Sequence, residues 1–436
     1  MATKSSSLNR FTWYGPWNSV FSAGLPTKWQ KLLTRWLQQQ RWFLDKNNST
    51  TTLQLESARY IDVKGKPVWW LLVKMGERCY QIALVLLPNW ASDAVLELTG
   101  HDEGVVIDAW RWPPFAQWAW QQIRPAIPVP EALIEAGASN SQVRFSEVAV
   151  LKVQRVITQG VHVEVEMGEE LIRRGATMTV PVLGQLRWRE RTMGLLFAYQ
   201  PQVQDGWNWF LSKASFATDD DLQAVTLLGQ RTRELHRLLA EPCADQAFSP
   251  YVLTAGEWQA RLTLISSRME HVRKLLLQHR SCDRRTTLLQ QQYLRASSQT
   301  QLTSLKKHGL LVHRIHGDYH LGQVLRTDRD WKIIDFEGEP LRPVHERRAK
   351  DLPLRDVAGM LRSFSYGLAT LGVLDPKQKV RWREAFLQGY AGEEPIDMSL
   401  LDVLELEKAL YEVEYEIRTR PDWLWIPLQA LCERGH

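Results

Sequence analysis

Two short segments near residue 320 constrain the fold and chemistry of this chain more than any other feature. The first reads HGDYHLGQ and the second reads IIDFEG. Together they place a carboxylate at Asp318, an amide five residues later at Gln323, and a second carboxylate twelve residues after that at Asp335. The spacing predicts that three oxygen-bearing side chains converge on one site.

The residues around these segments predict a strand followed by a hairpin. An apolar run over 310–315 is typical of a buried strand, and 324–325 and 331–334 are typical of two short strands around a polar turn. Asp318 would then precede the hairpin and Asp335 would follow its second strand. The alternative is a surface hairpin whose acids only cap turns.

Phosphoryl transfer requires this combination of groups. A carboxylate accepts the proton of the attacking hydroxyl, and oxygen ligands hold magnesium on the nucleotide phosphates. Protein kinases use H-R-D-x-x-x-x-N and D-F-G for these tasks. The chain keeps the first spacing with Gln323 in place of Asn, and Asp335 opens an Asp-Phe-Glu-Gly version of the second element. The pattern therefore favours a small-molecule kinase.

A kinase also needs a cation on the nucleotide phosphates and an acid that holds it. Lys152 interrupts an apolar, strand-like run over 148–153, and Glu166 lies fourteen residues later in a helix-like stretch. This is the pattern of a strand lysine paired with a helix glutamate. Spacing leaves Glu164, Glu169 and Glu170 as rival partners, and a solvated lysine is the plain alternative.

The loop that would cover the phosphates is weakly marked. We expect a strand, a turn over 136–142 (AGASNSQ) and a second strand. The turn has one glycine and matches neither G-x-G-x-x-G nor a P-loop. Ser139, Asn140 and Ser141 and nearby backbone N–H groups could still bind phosphate. An ordinary polar hairpin explains the segment equally well.

Several segments make the chain similar to the bacterial maltokinases, within the aminoglycoside-phosphotransferase-like and protein-kinase-like superfamily. The likeness spans the chain and is dense after residue 310. It rests on residues 40–43, 160–166, 235–237, 314–325, 334–340, 346–348, 353–364, 411–416 and 420–423. The chain departs from the family at 137–142, where Glu-Gln-Ser-Asn-Thr-Ser is usual, and at Val163, where proline is common.

The resemblance implies ATP-dependent phosphorylation of maltose at its anomeric hydroxyl, which gives maltose 1-phosphate for α-glucan and glycogen synthesis. It makes Asp318 the base, Gln323 and Asp335 the Mg²⁺ ligands, and Lys152 with Glu166 the pair on the phosphate side. By family analogy, it also implies association with a trehalose synthase-type enzyme.

We expect the sugar site beside Asp318, built by the C-terminal helices. A helix over 402–418 has a buried stripe, and its Tyr and Glu residues lie one turn apart. Aromatic faces and carboxylates suit a carbohydrate. A solvated glutamate face is an equal alternative on helix pattern alone. The candidate sugar-binding residues are His320, Glu339, Arg355, Tyr411, Glu412 and Trp423.

Composition agrees with a globular cytoplasmic enzyme. The chain has 436 residues, 44% of them hydrophobic and 24% charged, which argues against disorder. Its four cysteines lie far apart, so neither a zinc site nor a disulfide framework is indicated. We expect neither a signal peptide nor a membrane-spanning stretch. The basic segment 261–307 predicts a solvated helical hairpin rather than a nucleic-acid site, for which a denser patch is expected.

We therefore predict an α+β, bilobal protein-kinase-like fold in three parts. These are an N-terminal cap over 1–90, a sheet-containing lobe with the phosphate loop over 91–204, and a helical lobe over 205–436. Twelve of the 20 tryptophans fall in the first 120 residues, and we interpret them as packing rather than sugar binding.

Three functions remain open at this stage. A maltokinase comes first. A related sugar kinase such as a glucosamine kinase comes second, although Asp-Phe-Asp-Gly-Asn-Pro would then be expected in place of the sequence Asp-Phe-Glu-Gly-Glu-Pro that begins at Asp335. A non-catalytic binding or scaffold protein comes third, and four intact residues count against it: Asp318, Gln323, Asp335 and Lys152.

Overall fold

The chain forms two compact units in a computed structural model. The structure describes residues 10–46, 52–90, 94–134, 141–296, 307–339, 342–373 and 375–433. Unit 1 comprises residues 1–169 and 181–201, and unit 2 comprises residues 170–180 and 202–436. The predicted α+β class, with sheets in the N-terminal part and helices in the C-terminal part, is confirmed.

Unit 1 contains a seven-stranded sheet with the order β1-β5-β6-β4-β3-β2, in which β10 pairs with β4. Strands β3 (Lys66–Met75) and β4 (Arg78–Leu87) are buried along most of their length, which matches their largely apolar sequences. The sheet continues past residue 90, which is the predicted end of the N-terminal cap. Its strands are β1 (Arg10–Trp13), β2 (Gln54–Val63), β3 (Lys66–Met75), β4 (Arg78–Leu87), β5 (Leu96–Gly100), β6 (Gly104–Asp108) and β10 (Val156–Ile157).

A second sheet in unit 1 carries the predicted lysine strand at its centre. The order is β11-β12-β9-β8-β7, so β9 (Ala149–Val153) has a partner on each side. The other strands are β7 (Ala132–Ile134), β8 (Ser141–Phe145), β11 (Val182–Trp188) and β12 (Arg191–Ala198). The helices that begin in this unit are α1 (Thr27–Gln39), α2 (Pro113–Ile123) and α3 (Val163–Arg173).

The N-terminal tryptophans pack inside unit 1, as the sequence suggested. Trp29 and Trp70 have no exposed surface, and Trp17, Trp110 and Trp120 have at most 2%. Their rings meet edge-on or tilted, for example Trp17 against Trp29 with centroids 5.7 Å apart. Such pairs add roughly 0.5–1.5 kcal/mol each beyond the apolar area they bury.

Unit 2 is built mainly from helices. Several helices begin with the expected capping residues; Thr218 and Thr254 each form a capping box with the residue three positions later. These helices are α4 (Gly206–Lys213), α5 (Asp219–Leu239), α6 (Ala255–Gln278), α7 (Arg284–Ala296), α8 (Val344–Arg347), α9 (Leu354–Thr370), α10 (Pro376–Ala391), α11 (Met398–Thr419) and α12 (Trp425–Glu433).

Two small sheets accompany these helices. One joins β13 (Gln204–Asp205), β16 (Val324–Arg326) and β17 (Trp331–Ile333), and the last two form the hairpin predicted from the sequence. The other joins β14 (Tyr251–Val252) to β15 (Leu311–Val312). The strand expected over 310–315 is therefore shorter than predicted, because the chain leaves β14 after Val312 and makes only a single bridge at His313 to Asp351.

The remaining expectations on helices agree with the structure. The basic segment forms the helical pair α6 and α7, and the long C-terminal helix is α11. The four cysteines are free thiols. Among the described residues, no helix is both long and apolar enough to cross a membrane.

Candidate active site

The loop that carries Asp318 is anchored by a buried carboxylate on α9. Asp356 Oδ2 accepts a hydrogen bond from the backbone N–H of His316 at 2.8 Å, and Oδ1 accepts from that of Gly317 at 2.9 Å. His236 Nε2 lies 3.1 Å from Asp356 Oδ2 and donates to it. Burial opposes ionisation of this carboxylate, but the hydrogen bond from His236 and the contacts with His316 and Gly317 hold the pKa of Asp356 below its usual value.

One face of α9 fits against this loop. Gly359 lies so close that an added Cβ would be 2.6 Å from the carbonyl oxygen of Tyr319, so a larger residue would push the helix away. One turn further, Ser363 Oγ accepts a hydrogen bond from the backbone N–H of Leu321 at 3.1 Å. Asp356, Gly359 and Ser363 lie at spacings of three and four, which places them on one side of the helix.

His316 connects the Asp318 loop to the strand before Asp335. Its Nε2 lies 2.8 Å from the carbonyl oxygen of Ile334, and its Nδ1 lies 3.3 Å from the backbone N–H of Asp318. A carbonyl can only accept and an N–H can only donate, so the ring carries its proton on Nε2. This neutral tautomer sets the distance between the two acid-bearing segments.

Gln323 and Asp335 are brought together at the open end of the hairpin. The carbonyl oxygen of Gln323 accepts a hydrogen bond from the backbone N–H of Ile334 at 3.0 Å. Asp335 has φ of +67°, a left-handed conformation that only Gly, Asn and Asp adopt at low cost. The turn therefore redirects the chain directly after β17, and an acid that tolerates this conformation occupies it.

Asp318, Gln323 and Asp335 are all partly exposed, as residues that meet substrates must be. A carboxylate and an amide carbonyl are hard oxygen donors of the kind that Mg²⁺ prefers. The donors of the predicted set therefore fit a magnesium ion in their chemistry, and the convergence of the three side chains on one ion stays a prediction.

His320 lies beside Asp318. Its Nε2 is 3.9 Å from Asp318 Oδ2, and its Nδ1 accepts a hydrogen bond from the backbone N–H of Gly322 at 3.0 Å. Burial lowers the pKa of His320 more than the neighbouring Asp318 carboxylate raises it. A neutral imidazole with Nε2 protonated can donate to Asp318 or to a substrate hydroxyl.

Glu339 holds a group of cations next to this loop. Lys408 Nζ lies 2.8 Å from Glu339 Oε1, Arg355 Nη2 lies 3.4 Å from Oε2, and Arg342 also binds Oε2. Burial raises the pKa of Glu339, but Lys408, Arg355 and Arg342 outweigh it and hold the pKa down to about 2. Arg355 is additionally paired with Asp351 at 2.6 Å. Both predicted sugar-binding residues, Glu339 and Arg355, are thus members of an ion-pair network.

The predicted aromatic residues stand on and after α11. Tyr411 and Tyr415 stack with centroids 6.4 Å apart, and Lys408 Nζ lies 5.0 Å from the centre of the Tyr411 ring. Trp423 stacks on Tyr366 at 6.1 Å and is covered by Arg420 at 4.6 Å. A contact of Tyr411 or Trp423 with a sugar stays a prediction.

The acids of α11 are engaged with basic and hydroxyl groups. Glu412 Oε2 binds Arg362 Nε at 2.9 Å and Nη2 at 2.7 Å. Glu416 binds Arg420 at 2.7 Å and the hydroxyl of Tyr366 at 3.0 Å. Glu412 is therefore held in place by Arg362 of α9, and a contact of Glu412 with a sugar stays a prediction.

In unit 1, Lys152 lies on the central strand β9 with its ammonium group buried. Its Nζ is 3.0 Å from Glu164 Oε2. Glu164, one of the rival partners, lies at this distance. The predicted pairing of Lys152 with Glu166 stays a prediction. A contact of Glu166 with nucleotide stays a prediction.

The predicted phosphate loop is only partly covered by the structure. Ser139 and Asn140 lie outside the described residues. Ser141 opens strand β8 opposite Val153, so the turn is shorter than the predicted 136–142. The backbone at Ser141 belongs to the sheet, which corrects its placement in the loop.

Sequence reasoning missed Lys408 and gave no definite role to Asp356 and His236. Asp356 lies in the first turn of a helix, where an acid is common, so its position alone does not single it out. Its burial could not be read from the sequence. His236 lies 120 positions away from Asp356, so no local pattern connects the two.

The chain is similar in sequence to two curated glucosamine kinases. No family model matches the chain. A glucosamine kinase from Mycolicibacterium smegmatis is 26% identical over 73% of the chain and 82% of its own length. A glucosamine kinase from Streptacidiphilus jiangxiensis is 25% identical over 54% of the chain and 56% of its own length. The second match thus spans little more than half of that relative.

A solved glucosamine kinase in complex with glucosamine, ADP and inorganic phosphate has a TM-score of 0.63 and 20% identity, over 93% of this chain and 99% of that one. This likeness concerns the fold. The chain therefore has the kinase-like fold of the glucosamine kinases and is similar to them in sequence over most of its length.

Proposed function

We propose that the chain is an ATP-dependent sugar kinase that transfers a phosphoryl group from ATP to a sugar hydroxyl. The observation that carries the proposal is that His316 and Gln323 both pair with Ile334, so the segments that carry Asp318, Gln323 and Asp335 lie side by side, while Asp356 anchors the Asp318 loop. The similarity to glucosamine kinases supports the same class of reaction. A purely binding protein would not need this set of acids.

Each residue has a defined task in this reaction. Asp318 accepts the proton of the attacking sugar hydroxyl, and His320 orients that hydroxyl or the Asp318 carboxylate through Nε2. Gln323 and Asp335 would hold Mg²⁺, which when bound neutralises charge on the nucleotide phosphates. Lys152, positioned by Glu164, provides a fixed cation for the phosphates.

Glucosamine is the first acceptor to test. It is the sugar named for both curated relatives, and one of them matches 82% of its own length. An amino sugar would also place a hydroxyl beside Asp318 in the same way as any hexose. Its ammonium group needs an acceptor, for which the carboxylate of Asp318 is the candidate, because His320 accepts from Gly322 through Nδ1 and carries its proton on Nε2.

Maltose is a second acceptor, favoured by two observations. The sequence Asp-Phe-Glu-Gly-Glu-Pro and the segments after residue 346 resemble maltokinases. In addition, Glu339 is already neutralised by Lys408, Arg342 and Arg355, so it is a poor partner for a substrate ammonium group. The stacked rings of Tyr411 and Tyr415 would suit an uncharged second sugar ring. Association with a trehalose synthase-type enzyme belongs to this second candidate.

The test is ADP release with ATP and Mg²⁺ over a panel of glucosamine, glucose and maltose. One sugar should stimulate release strongly, and Asp318→Asn should lower its turnover by roughly 10²–10⁴-fold, because the proton acceptor is lost while the shape is kept. Asp328→Asn is the matched control, since this acid is exposed in the turn of the same hairpin. Full activity of Asp318→Asn would rule out the proposed base, and the sugar with the highest kcat/KM identifies the acceptor.

A further inference from the structure

A cavity of about 280 Å³ lies between α9, α10 and α12 in unit 2. Its walls are largely apolar, with Leu368, Val373, Val380, Ile426 and Ala430 among the lining residues. The α9 residues that line it follow Asp356 by six to thirteen positions. They therefore lie roughly 9–20 Å along the helix from the residue that anchors the Asp318 loop.

Two arginines enter this cavity with unused donor groups. Arg362 is buried and spends Nε and Nη2 on Glu412, and its Nη1 makes no hydrogen bond within the described part of the chain. Arg383 spends Nη1 and Nη2 on Glu405, at 2.6 and 3.1 Å, and its Nε likewise makes none there. Guanidinium donors beside an apolar wall suit a ligand with an oxyanion at one end.

The acidic residues that line the cavity are already engaged. Asp375 caps α10 by accepting from the backbone N–H of Lys377 at 2.9 Å. Glu433 accepts from Gln429 at 2.9 Å and pairs with Lys379. The basic residues of the lining are paired as well, Arg362 with Glu412, Arg383 with Glu405 and Lys379 with Glu433. What the lining offers a ligand is therefore the remaining N–H donors of the two arginines rather than an excess of positive charge.

We infer that this cavity binds a small organic anion, in which a carboxylate or phosphate group on an apolar body meets Arg362 and Arg383. The ring of Trp425 and the aliphatic side chains would cover the apolar body. Carboxylate and phosphate share the recognition chemistry, because both accept paired hydrogen bonds from a guanidinium group.

Such a ligand would influence the predicted sugar-binding residues of unit 2 through Arg362. The same guanidinium holds Glu412 on α11, the helix that carries Lys408 and Tyr411. An anion that competes for Arg362 weakens its hold on Glu412, so the KM for the sugar should rise while the KM for ATP stays constant. By linkage, a bound sugar should weaken binding of the anion by the same factor. This coupling rests on the proposed function, whereas the binding itself does not.

Binding is tested by calorimetry on the full chain with benzoate, phenyl phosphate and uncharged benzyl alcohol as probes. At least one of the two anions should bind, and benzyl alcohol should bind at least roughly tenfold more weakly. Arg383→Met should reduce the affinity for the anion, whereas Arg381→Met on the same helix, which is outside the cavity, should not. Equal binding of the alcohol and the anions, or no binding at all, overturns the proposal.

A second variant keeps the test independent of the arginines. Val380 lines the cavity and is 47% exposed, so Val380→Trp should fill the entrance and abolish binding without unfolding the chain. Leu277→Trp, at a 60% exposed site on α6, is the matched control. Unchanged anion binding in Val380→Trp overturns the site. Loss of kinase activity on every sugar, with anion binding intact, would instead count against the proposed function alone.

Discussion

Replacing Asp356 should damage both stability and turnover, because one buried carboxylate satisfies three donors. It accepts from the backbone N–H groups of His316 and Gly317 and from His236, at 2.8, 2.9 and 3.1 Å. Only 2% of the residue is exposed, so water cannot replace it. In Asp356→Ala all three donors lose their partner in the interior.

The magnitude follows from the number of orphaned groups. A buried donor without a partner costs roughly 1–3 kcal/mol, and three donors are orphaned here, so the lower half of their summed cost is about 3–5 kcal/mol. We expect Asp356→Ala to lower the free energy of unfolding of unit 2 by roughly 3–5 kcal/mol. A displacement of the Asp318 loop by about 1 Å would lower kcat by about 10²-fold.

The assay combines urea denaturation, followed by circular dichroism, with turnover on the best sugar. Asp328→Ala, an exposed acid in the neighbouring hairpin turn, is the control and should change neither quantity. His236→Gln removes one of the three partners while leaving the two backbone contacts, so it should cause a smaller loss than Asp356→Ala. If Asp356→Ala unfolded at the control's urea concentration and turned over normally, the anchoring role would be refuted.

Three further predictions concern the charged residues. Glu339 has a pKa near 2 instead of 4.5, so its ion pairs should contribute roughly 3 kcal/mol of stability above pH 4.5, and this contribution should disappear as the pH falls toward 2. Glu339→Gln should flatten this acid loss of stability in pH-dependent denaturation. An unchanged pH profile of the variant would contradict the prediction. Asp335→Asn keeps the left-handed turn but removes a charge, so the KM for Mg-ATP should rise with little change in the urea midpoint; equal nucleotide affinity would remove Asp335 as a metal ligand. Glu164→Gln should raise the KM for ATP more than Glu166→Gln does. The reverse order would favour Glu166 as the partner of Lys152.

Much of the β16–β17 hairpin and of the loop that carries Asp318 was predictable, because these segments are close together in the sequence. Asp318, Gln323 and Asp335 lie within 18 positions, and the strands between them have the short apolar patterns of a hairpin. The lysine strand was predictable for the same reason, since an apolar run with one lysine has few other interpretations. Its carboxylate partner was not, because several glutamates follow within one helix and the choice among Glu164, Glu166, Glu169 and Glu170 depends on how that helix is rotated.

The contacts of the predicted sugar-binding residues were the least predictable part of the structure. The sequence places Tyr411 and Tyr415 one turn apart on a helix, and in the structure their rings stack. The partners of Glu339 and Glu412 could not be derived, since Lys408 lies 69 positions from Glu339 and Arg362 lies 50 positions from Glu412. Which acids remain available to a substrate is decided by these long-range ion pairs.

The sequence by itself determined the α+β class, the main helices and the hairpin that Asp318 precedes and Asp335 follows. Local periodicity, capping residues and short spacing specify such features, because they depend on neighbouring residues alone. Only the tertiary structure decided that Asp356 and His236 hold the Asp318 loop, that Gly359 allows α9 to approach it, and that Glu164 meets Lys152. These contacts join segments far apart in the chain, and burial together with close packing selects them only after the helices have come together.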